Sequence, residues 1–558
     1  MPVRDVAPDA LPGLLADAGV RRGQPLGLVL GTDGLGLATG EAGWAVRTSD
    51  PAGVLAAVAA AVAPRWTWWR ASDLAPLPAA GVRLRGCWDV AAVTRLLHGG
   101  RRDDPGAAWA LAHGMPLPAA PEPDLVLLAA VERGTGQLDP ELGRDPDAER
   151  AAAWAAYAVQ VQQQQDAALL ALPDTRPVHP EPPLPVLTAF SESAAALLAV
   201  ELAQEGLPLD RAVAERLVGS YVGPRGTRNG ARDAEVLRHF RAPCDLRNPI
   251  QVRAMLLTAG IDVPDTRSWR LEPFRSTVPG VAALLDWRKA ERIATTYGYG
   301  WLDRHVGADG RLRGAWAASD GAAGRMTALA GLHNMPAALR PAVAAEPGYL
   351  LVRADLGQVE PRVLAVVSGD PALAAAARAD DMYAPVAEQL GCDRRTAKVA
   401  VLAAMYGQTS GAAGTALRRM ERTYPTALAL LGAAEERGRV GLDVRTYGGR
   451  LVRMGGPADP DRGRGRYARN AVVQGAAAEL FKAWAATVRG ELGPLGGRIV
   501  LCLHDELLVH VPAAQAPAAA ELLATVLQST AARWAAGSGV RFVAEVATGR
   551  TWAEAKGP

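Results

Sequence analysis

Acidic residues interrupt what should be a buried strand near the C-terminus. The segment IVLCLHDELLVHV sets His504, Asp505 and Glu506 between the apolar runs 499–503 and 507–509. Both runs have the β-branched or apolar character of buried strands. An ionised carboxylate buried without a partner costs several kcal/mol or more, so the chain must turn there or the charge must meet a cation. A second acidic cluster, YLLVRADLGQVEPR, runs from an apolar strand that ends at Asp355 into a helix with Pro361 in its first turn. Taken singly, Asp355 at a strand end and Asp505 at a hairpin turn read as turn formers or caps. Between them in sequence lies GCDRRTAKVAVLAAMYGQ (391–408), where Arg394, Lys398, Leu402 and Tyr406 recur every four residues. Each step of four advances only ~40° around a helix, so these residues share one side. Such a strip suits a triphosphate at its cationic end and a base and sugar at its apolar end. The bland alternative is a surface helix with a charged N-terminal half. Together, the basic helix and the two carboxylates suggest a metal-bridging pair.

The elements that must position these residues come from a chain of 558 residues, 49% hydrophobic, long enough for three or four domains with sizeable cores. The longest alanine-valine stretch, 52–63, is bounded by prolines, and the N-terminus lacks a signal-peptide core, so no membrane span is expected. Cys87, Cys244, Cys392 and Cys502 have no CxxC spacing, which argues against a zinc site or a disulfide framework and fits a reducing cytoplasm. The net charge of +2 does not by itself announce a polyanion partner. Nearly every basic residue is Arg. The only lysines are Lys289, Lys398, Lys482 and Lys556, so a surviving lysine is a mild functional pointer. LPDTRPVHPEPPLPV (172–186), with six prolines, reads as an extended linker, and QVQQQQ (160–165) as a solvated helix face. Before the linker, strand and helix candidates at 25–30 and 54–62 predict a small α/β domain; after it, helical periodicity runs over 190–218 and again over 281–297.

At these residues the chain resembles the family A DNA polymerases over about 187 to the C-terminus. The first polymerase motif resembles Asp355-Leu-Gly-Gln358-Val-Glu360-Pro-Arg362, the nucleotide-binding helix Arg394 through Gly407, and the palm hairpin His504-Asp505-Glu506. GRMTALAGLHNMP (324–336), YGGRL (447–451) and RYARNAVVQGAAAELFK (466–482) are further matches in order. The resemblance implies an α/β and α+β multidomain fold, with an exonuclease-like (ribonuclease H-like) N-terminal α/β domain followed by a right-hand polymerase. The implied divisions are a degenerate exonuclease-like domain at 1–171, the linker at 172–186, thumb and start of palm at 187–320, palm at 321–375, short fingers at 376–450 and palm with the hairpin at 451–558.

The implied function is template-directed addition of dNTPs to a primer 3′-hydroxyl with two Mg²⁺ ions, by a monomer acting on primer-template DNA. Asp355 and Asp505 would hold the metals, with Glu506 and Leu356 as further metal-site positions, Glu506 either as a ligand or as a neighbouring outer-shell carboxylate. Arg394 and Lys398 would bind the triphosphate, and Lys398 could protonate the leaving pyrophosphate, as a guanidinium cannot. Glu360, bonded to Tyr406, would exclude a ribose 2′-hydroxyl, while Leu402, Gln358 and Tyr383 complete the nucleotide site. Arg325, Arg466, Gln474 and His504 would contact primer terminus and template, and Arg288 and Arg292 would touch duplex phosphate from the thumb. PRGTRNGAR (224–232) and RGRGR (462–466) are candidate phosphate loops.

Departures from the family pattern are Leu356, Gly357 and Pro361 in the first motif, Leu402 for an aromatic, and Tyr383 for a phosphate-contacting His. The N-terminal region offers only the isolated Asp33 and Asp89 where proofreading needs several converging carboxylates; Asp145, Asp147 and Glu149 read as a surface turn around Pro146. No 5′-nuclease region is expected before it. Rival readings are a single-subunit RNA polymerase and a catalytically inactive DNA-binding or repair scaffold; Glu360 and Gln474 disfavour the first, and the metal-site and triphosphate residues disfavour the second.

Overall fold

Both acidic segments belong to one four-stranded sheet. In this computed structural model, which describes residues 2–100, 102–119, 130–131, 138–139, 145–226, 230–240, 243–321, 323–407, 412–456 and 461–556, the strand order is Arg498–Leu503, Glu506–Pro512, Tyr349–Gly357, Val543–Gly549. Tyr349–Gly357 runs antiparallel to Glu506–Pro512 with Asp355 opposite Glu506, and Leu503 also faces Glu506 across the hairpin. His504 and Asp505 are therefore a two-residue turn, as expected, with His504 at φ 47, a conformation that His tolerates better than most residues. The strand continues past Asp355 to Gly357, so Asp355 is not at the strand's end, although its pairing with Glu506 is the last of the ladder with Glu506–Pro512. Val352, Ala354 and Leu356, which alternate onto the opposite face, are buried, while Asp355 stays partly exposed.

The described chain divides into two compact units. The first comprises Met1–Glu205, Ala315–Ala328 and Gly348–Thr548; the second comprises Gly206–Gly314, Leu329–Pro347 and Gly549–Pro558. In the first unit, the thirty-residue helix Arg462–Glu491 and the helix Ala516–Trp534 pack with the four-stranded sheet, and a succession of shorter helices from Val359–Ser368 to Pro425–Arg439 follows the Asp355 strand. Asp370 begins two of them: one carboxylate oxygen accepts Ala372 and Leu373 N–H, the other accepts Thr426 and Ala427 N–H. The N-terminal residues form a six-stranded sheet, order Val3–Asp5, Gly43–Arg47, Gly34–Ala38, Pro25–Leu30, Arg65–Trp68, Cys87–Asp89. Its middle strands are antiparallel, and Pro25–Leu30, Arg65–Trp68 and Cys87–Asp89 are mutually parallel. The helix Ala148–Leu170 packs across this sheet.

Three expectations change. The proline-rich stretch is a packed strap and not an extended linker: Arg176 is 1% exposed and donates to Asp174 and to the carbonyls of Arg533, Pro180 and Pro182. The helix Leu184–Glu205 begins inside that stretch, and the unit boundary falls at Glu205, not at 187. This helix is long and apolar enough to cross a membrane, but 72% of its apolar window is buried, which makes it a core helix. The glutamine tract is a solvated face only in part: Gln163 and Gln164 are exposed, but Gln165 is buried, accepts Trp88 Nε1–H at 2.8 Å and donates to Val90 O and Thr94 Oγ1. All four cysteines are free.

Helix Leu184–Glu205 is fastened to Arg462–Glu491 by buried charge. Glu192 lies 2.8 Å from Lys482 Nζ and 2.6 Å from Arg450 Nη2, all three almost wholly buried. Glu479, one helical turn before Lys482, accepts the Thr446 hydroxyl and Gly448 N–H. Gly448 is required here, since a Cβ would sit 2.4 Å from Thr188 Oγ1 and 2.6 Å from Glu479 Oε2. Lys482 thus owes its place to structure, and burial pushes it down to about 8. Burial likewise pushes the Glu479 carboxyl up to about 7. A raised folded-state pKa means that the native protein holds a proton the unfolded chain has lost, so this stability is present below the unfolded value and is lost as pH rises through about 7. Glu479→Gln, which keeps an acceptor for Gly448 and a partner for Thr446, should flatten the decline of Tm between pH 5 and 8; a decline as steep as wild type would locate the titration elsewhere.

Candidate active site

A cavity of about 400 Å³ opens beside the hairpin turn, lined among others by Asp505, His504, Leu356, Gln358, Glu360, Tyr383, Leu402, Tyr406, Gln474 and Arg325. Ten of the predicted site residues, contributed by the sheet and its hairpin turn, four helices and the strand Arg325–Ala328, therefore line one cavity. The helix Val359–Ser368 supplies Glu360 in its first turn, and Arg394–Tyr406 supplies Leu402 and Tyr406 from its last turns.

Glu360 is held from both sides. One oxygen accepts Arg325 Nη2–H and the other accepts the Tyr406 hydroxyl, each at 2.7 Å. The Glu360–Tyr406 bond was expected; the Arg325 partner was not. Burial first, then the Glu360 carboxylate, pushes the Tyr406 phenol up to about 12, so it remains a donor at neutral pH. His504 is pushed down, by burial and then by the Arg325 charge, and so stays neutral.

Arg394 stands at the exposed N-terminal end of its helix, capped by Asp393. Its guanidinium lies 2.5 Å from Asp381 and 5.8 Å from the centre of the Tyr383 ring. Lys398 is exposed one turn later and makes no ion pair among the described residues. Asp381 also accepts Gln358 Nε2–H at 2.8 Å, and Gln358 returns an acceptor to Met382 N–H. Sequence reading missed Asp381. The loop that carries it is fixed by Arg362, which is fully buried without a carboxylate partner and instead donates to the carbonyls of Gly357, Ala377, Ala379, Asp380 and Arg541.

Asp355 does not line the cavity. Its carboxylate pairs with Arg353, two residues earlier on the same face of the strand, and Arg353 Nε lies 3.1 Å from Glu506. Arg353 is 2% exposed and escaped the sequence reading. The signal was available, since YLLVRAD places a cation inside an apolar strand and a buried cation needs an acid as much as the converse. Asp505 makes no ion pair among the described residues: burial, then the Glu506 and Glu360 charges, push its carboxyl up. Leu356, whose side chain is buried, hydrogen-bonds through N–H to Asp505 O at 2.9 Å and can offer a ligand only through its peptide oxygen.

Two expected nucleic-acid contacts are otherwise engaged. Arg288 is half-buried and donates to Thr266 O, and Arg292 donates to Asn334 O at 2.8 Å. Arg466 is exposed on the long helix. Part of the loop 224–232, residues 227–229, lies outside the described residues, as does Gln408. The run 462–466 is not a loop but the first turn of the long helix, capped by Asp461.

The model of the family described as DNA polymerase family A matches residues 258–554. DNA polymerase I of Deinococcus radiodurans is 28% identical over 325 residues, which are 51% of this chain and 33% of that protein. The thermostable DNA polymerase I of Thermus filiformis is 31% identical over 324 residues, 52% of this chain and 38% of the relative. The matches thus reach only about a third of these relatives' lengths. The POL domain of Pol1 from M. smegmatis, solved in complex with DNA primer-template and dNTP, superposes with a TM-score of 0.69 at 20% identity, covering 100% of both chains. The fold is a mixed α/β multidomain architecture of that kind, and the chain belongs to DNA polymerase family A.

Arg362→Met would leave several buried carbonyls unpaired and free the loop that holds Asp381. Unsatisfied buried groups cost about 1–3 kcal/mol each, so a loss of at least about 3 kcal/mol is expected in denaturant unfolding. A loss below about 1 kcal/mol would show that water replaces the guanidinium.

Proposed function

We propose that this chain is a template-directed DNA polymerase that adds dNTPs to a primer 3′-hydroxyl. The observation that carries the reading is the clamped Glu360, with Arg325 and Tyr406 on its two oxygens at the floor of a cavity that also presents Asp505, His504 and Gln474. A carboxylate held in place from both sides fills the space that a ribose 2′-hydroxyl would need. Gln474 and His504 face the minor-groove acceptors, which are nearly the same for every correct pair. Arg394 and Lys398 take the triphosphate at the far end of the strip, Arg394 exchanging Asp381 for phosphate oxygens, and Lys398 delivers a proton to the leaving pyrophosphate.

Divalent cations fit the donor set. Among the described residues no three His, Cys, Asp or Glu side chains already form a ligating group. Yet all the donors at hand are hard oxygens, and the charged form of Asp505, disfavoured by burial and by two neighbouring carboxylates, is what a cation would stabilise. Asp355 and Asp505 would hold two Mg²⁺, with Glu506 and the Leu356 carbonyl beside them, and the bound ions would supply nucleophile activation and charge neutralisation.

In this reading the four-stranded sheet is the palm, the helices between about 376 and 450 are short fingers, and the helices of 206–314 are the thumb, where Arg288 and Arg292 would exchange their carbonyl partners for duplex phosphate. The N-terminal domain is ribonuclease H-like, supported by three antiparallel strands continued by two parallel ones. Its proofreading site is degenerate. Asp89 is spent as a helix cap, accepting Ala92 and Ala71 N–H and Trp68 Nε1–H while wholly buried. Asp33 accepts Ala148 N–H, and Asp147 caps the helix that follows. The partners are primer-template DNA and dNTPs.

Primer extension with Mg²⁺ tests the reading. Asp355→Ala and Asp505→Ala should lower the extension rate by at least about a thousandfold while primer-template affinity changes little, because each removes a carboxylate and no phosphate-contacting cation. Extension at near wild-type rate by either variant would overturn the assignment. In the same assay without dNTP the primer 3′ end should stay at full length.

Sugar selection is tested separately. Glu360→Ala removes the clamp and should reduce the dNTP-to-NTP ratio of kcat/KM by about tenfold or more. An unchanged ratio would remove Glu360 from that role.

A further inference from the structure

A divalent cation bridging Asp355 must contend with a cation already there. Arg353 is buried within the strand, its guanidinium bonded to Asp355 and its Nε 3.1 Å from the Glu506 carboxylate, within ion-pair reach though without a directed hydrogen bond. The register that sets Asp355 opposite Glu506 places both acids on the face of the sheet that Arg353 occupies, since residues 353 and 355 are two apart. Without Arg353, two carboxylates would face each other across the ladder, one of them only 5% exposed. With it, one of the two negative charges is offset before any metal arrives.

We infer that Arg353 is a resident counter-cation of the acidic site, which offsets part of the charge of Asp355 and Glu506 in the metal-free protein and competes with divalent metal for the Asp355 carboxylate. The inference rests on the polymerase reading only in taking Asp355 and Asp505 as the metal carboxylates. Its consequence is a protein whose acidic site is stable without metal but binds metal weakly: an ion held by Asp355 shares that carboxylate with the guanidinium, which cannot lose its proton and stays nearby as a like charge. Glu506 is then the second acid that keeps Arg353 in place, a role distinct from ligation.

The test is Mn²⁺ binding to the free protein, followed by electron paramagnetic resonance, in wild type, Arg353→Met and Arg353→Lys. Arg353→Met should bind Mn²⁺ at least about tenfold more tightly, as removal of a like charge within a few ångström requires. Arg353→Lys, which keeps the charge, should bind close to wild type. Saturating Mg²⁺ should also raise the thermal midpoint of Arg353→Met by more than that of wild type, because the metal replaces the missing cation. If Arg353→Met fails to fold, the same comparison is made between Arg353→Met/Glu506→Gln and Glu506→Gln, where no buried carboxylate is left alone. Equal or weaker Mn²⁺ binding in the folded methionine variant, or equal tightening in the lysine variant, overturns the inference. Failure of the underlying reading looks different: Asp355→Ala and Asp505→Ala would then bind Mn²⁺ as wild type does, whatever Arg353 contributes.

Discussion

The antiparallel pairing of Tyr349–Gly357 with Glu506–Pro512 fixes everything else at the site. Because side chains alternate along a strand, this one register decides that Asp355 and Glu506 meet, that Arg353 lies between them, and that Asp505 is lifted onto the turn beside the cavity. A slip of one residue would send the acids to the opposite face and bring Ala354 and Leu507 in their place. The apolar residues of the two strands, buried on the other face, make that slip costly, so the hydrophobic core of the sheet is what positions the charge.

A second chain of dependence leads from a buried cation to the exposed end of the cavity. Arg362 gathers carbonyls from the loop 377–380, and Asp381 at the end of that loop holds both Gln358 and Arg394. A guanidinium presents five donors in a fixed plane, so it can organise an irregular loop that makes few backbone hydrogen bonds of its own. Placed at the first turn of the helix after the Asp355 strand, it ties the geometry of the anion-binding end to that of the acidic end. The Glu192–Lys482–Arg450 cluster does the same for the helices behind the sheet. In all three places a buried cation faces its partners inside the protein, and each demands one arrangement of the surrounding backbone.

Much of this was legible in the sequence. The hairpin at His504-Asp505, the helix from Arg394 to Tyr406 and the Glu360–Tyr406 bond all followed from local periodicity, from the cost of burying charge, or from motif resemblance, and the structure places them accordingly. What local reasoning misplaced were residues whose surroundings come from distant segments. Gln165 looked solvated within a polar tract, yet it meets Trp88 and Thr94 from a strand and helix some seventy residues away. The prolines of 172–186 read as a free linker because composition cannot reveal Arg176 anchoring them to the carbonyl of Arg533.

The sequence by itself determined the types of chemistry available: hard carboxylate oxygens and a basic strip at helical spacing. Those are properties of residue identity and short-range spacing, which survive without a fold. Only the tertiary structure decided which charges are already answered. Arg353 and Asp355 are neighbours in any drawing of the sequence, but that their pairing also takes in Glu506, and that Asp505 is left on the cavity wall without an equivalent partner, depends on a strand register set more than 150 residues away along the chain.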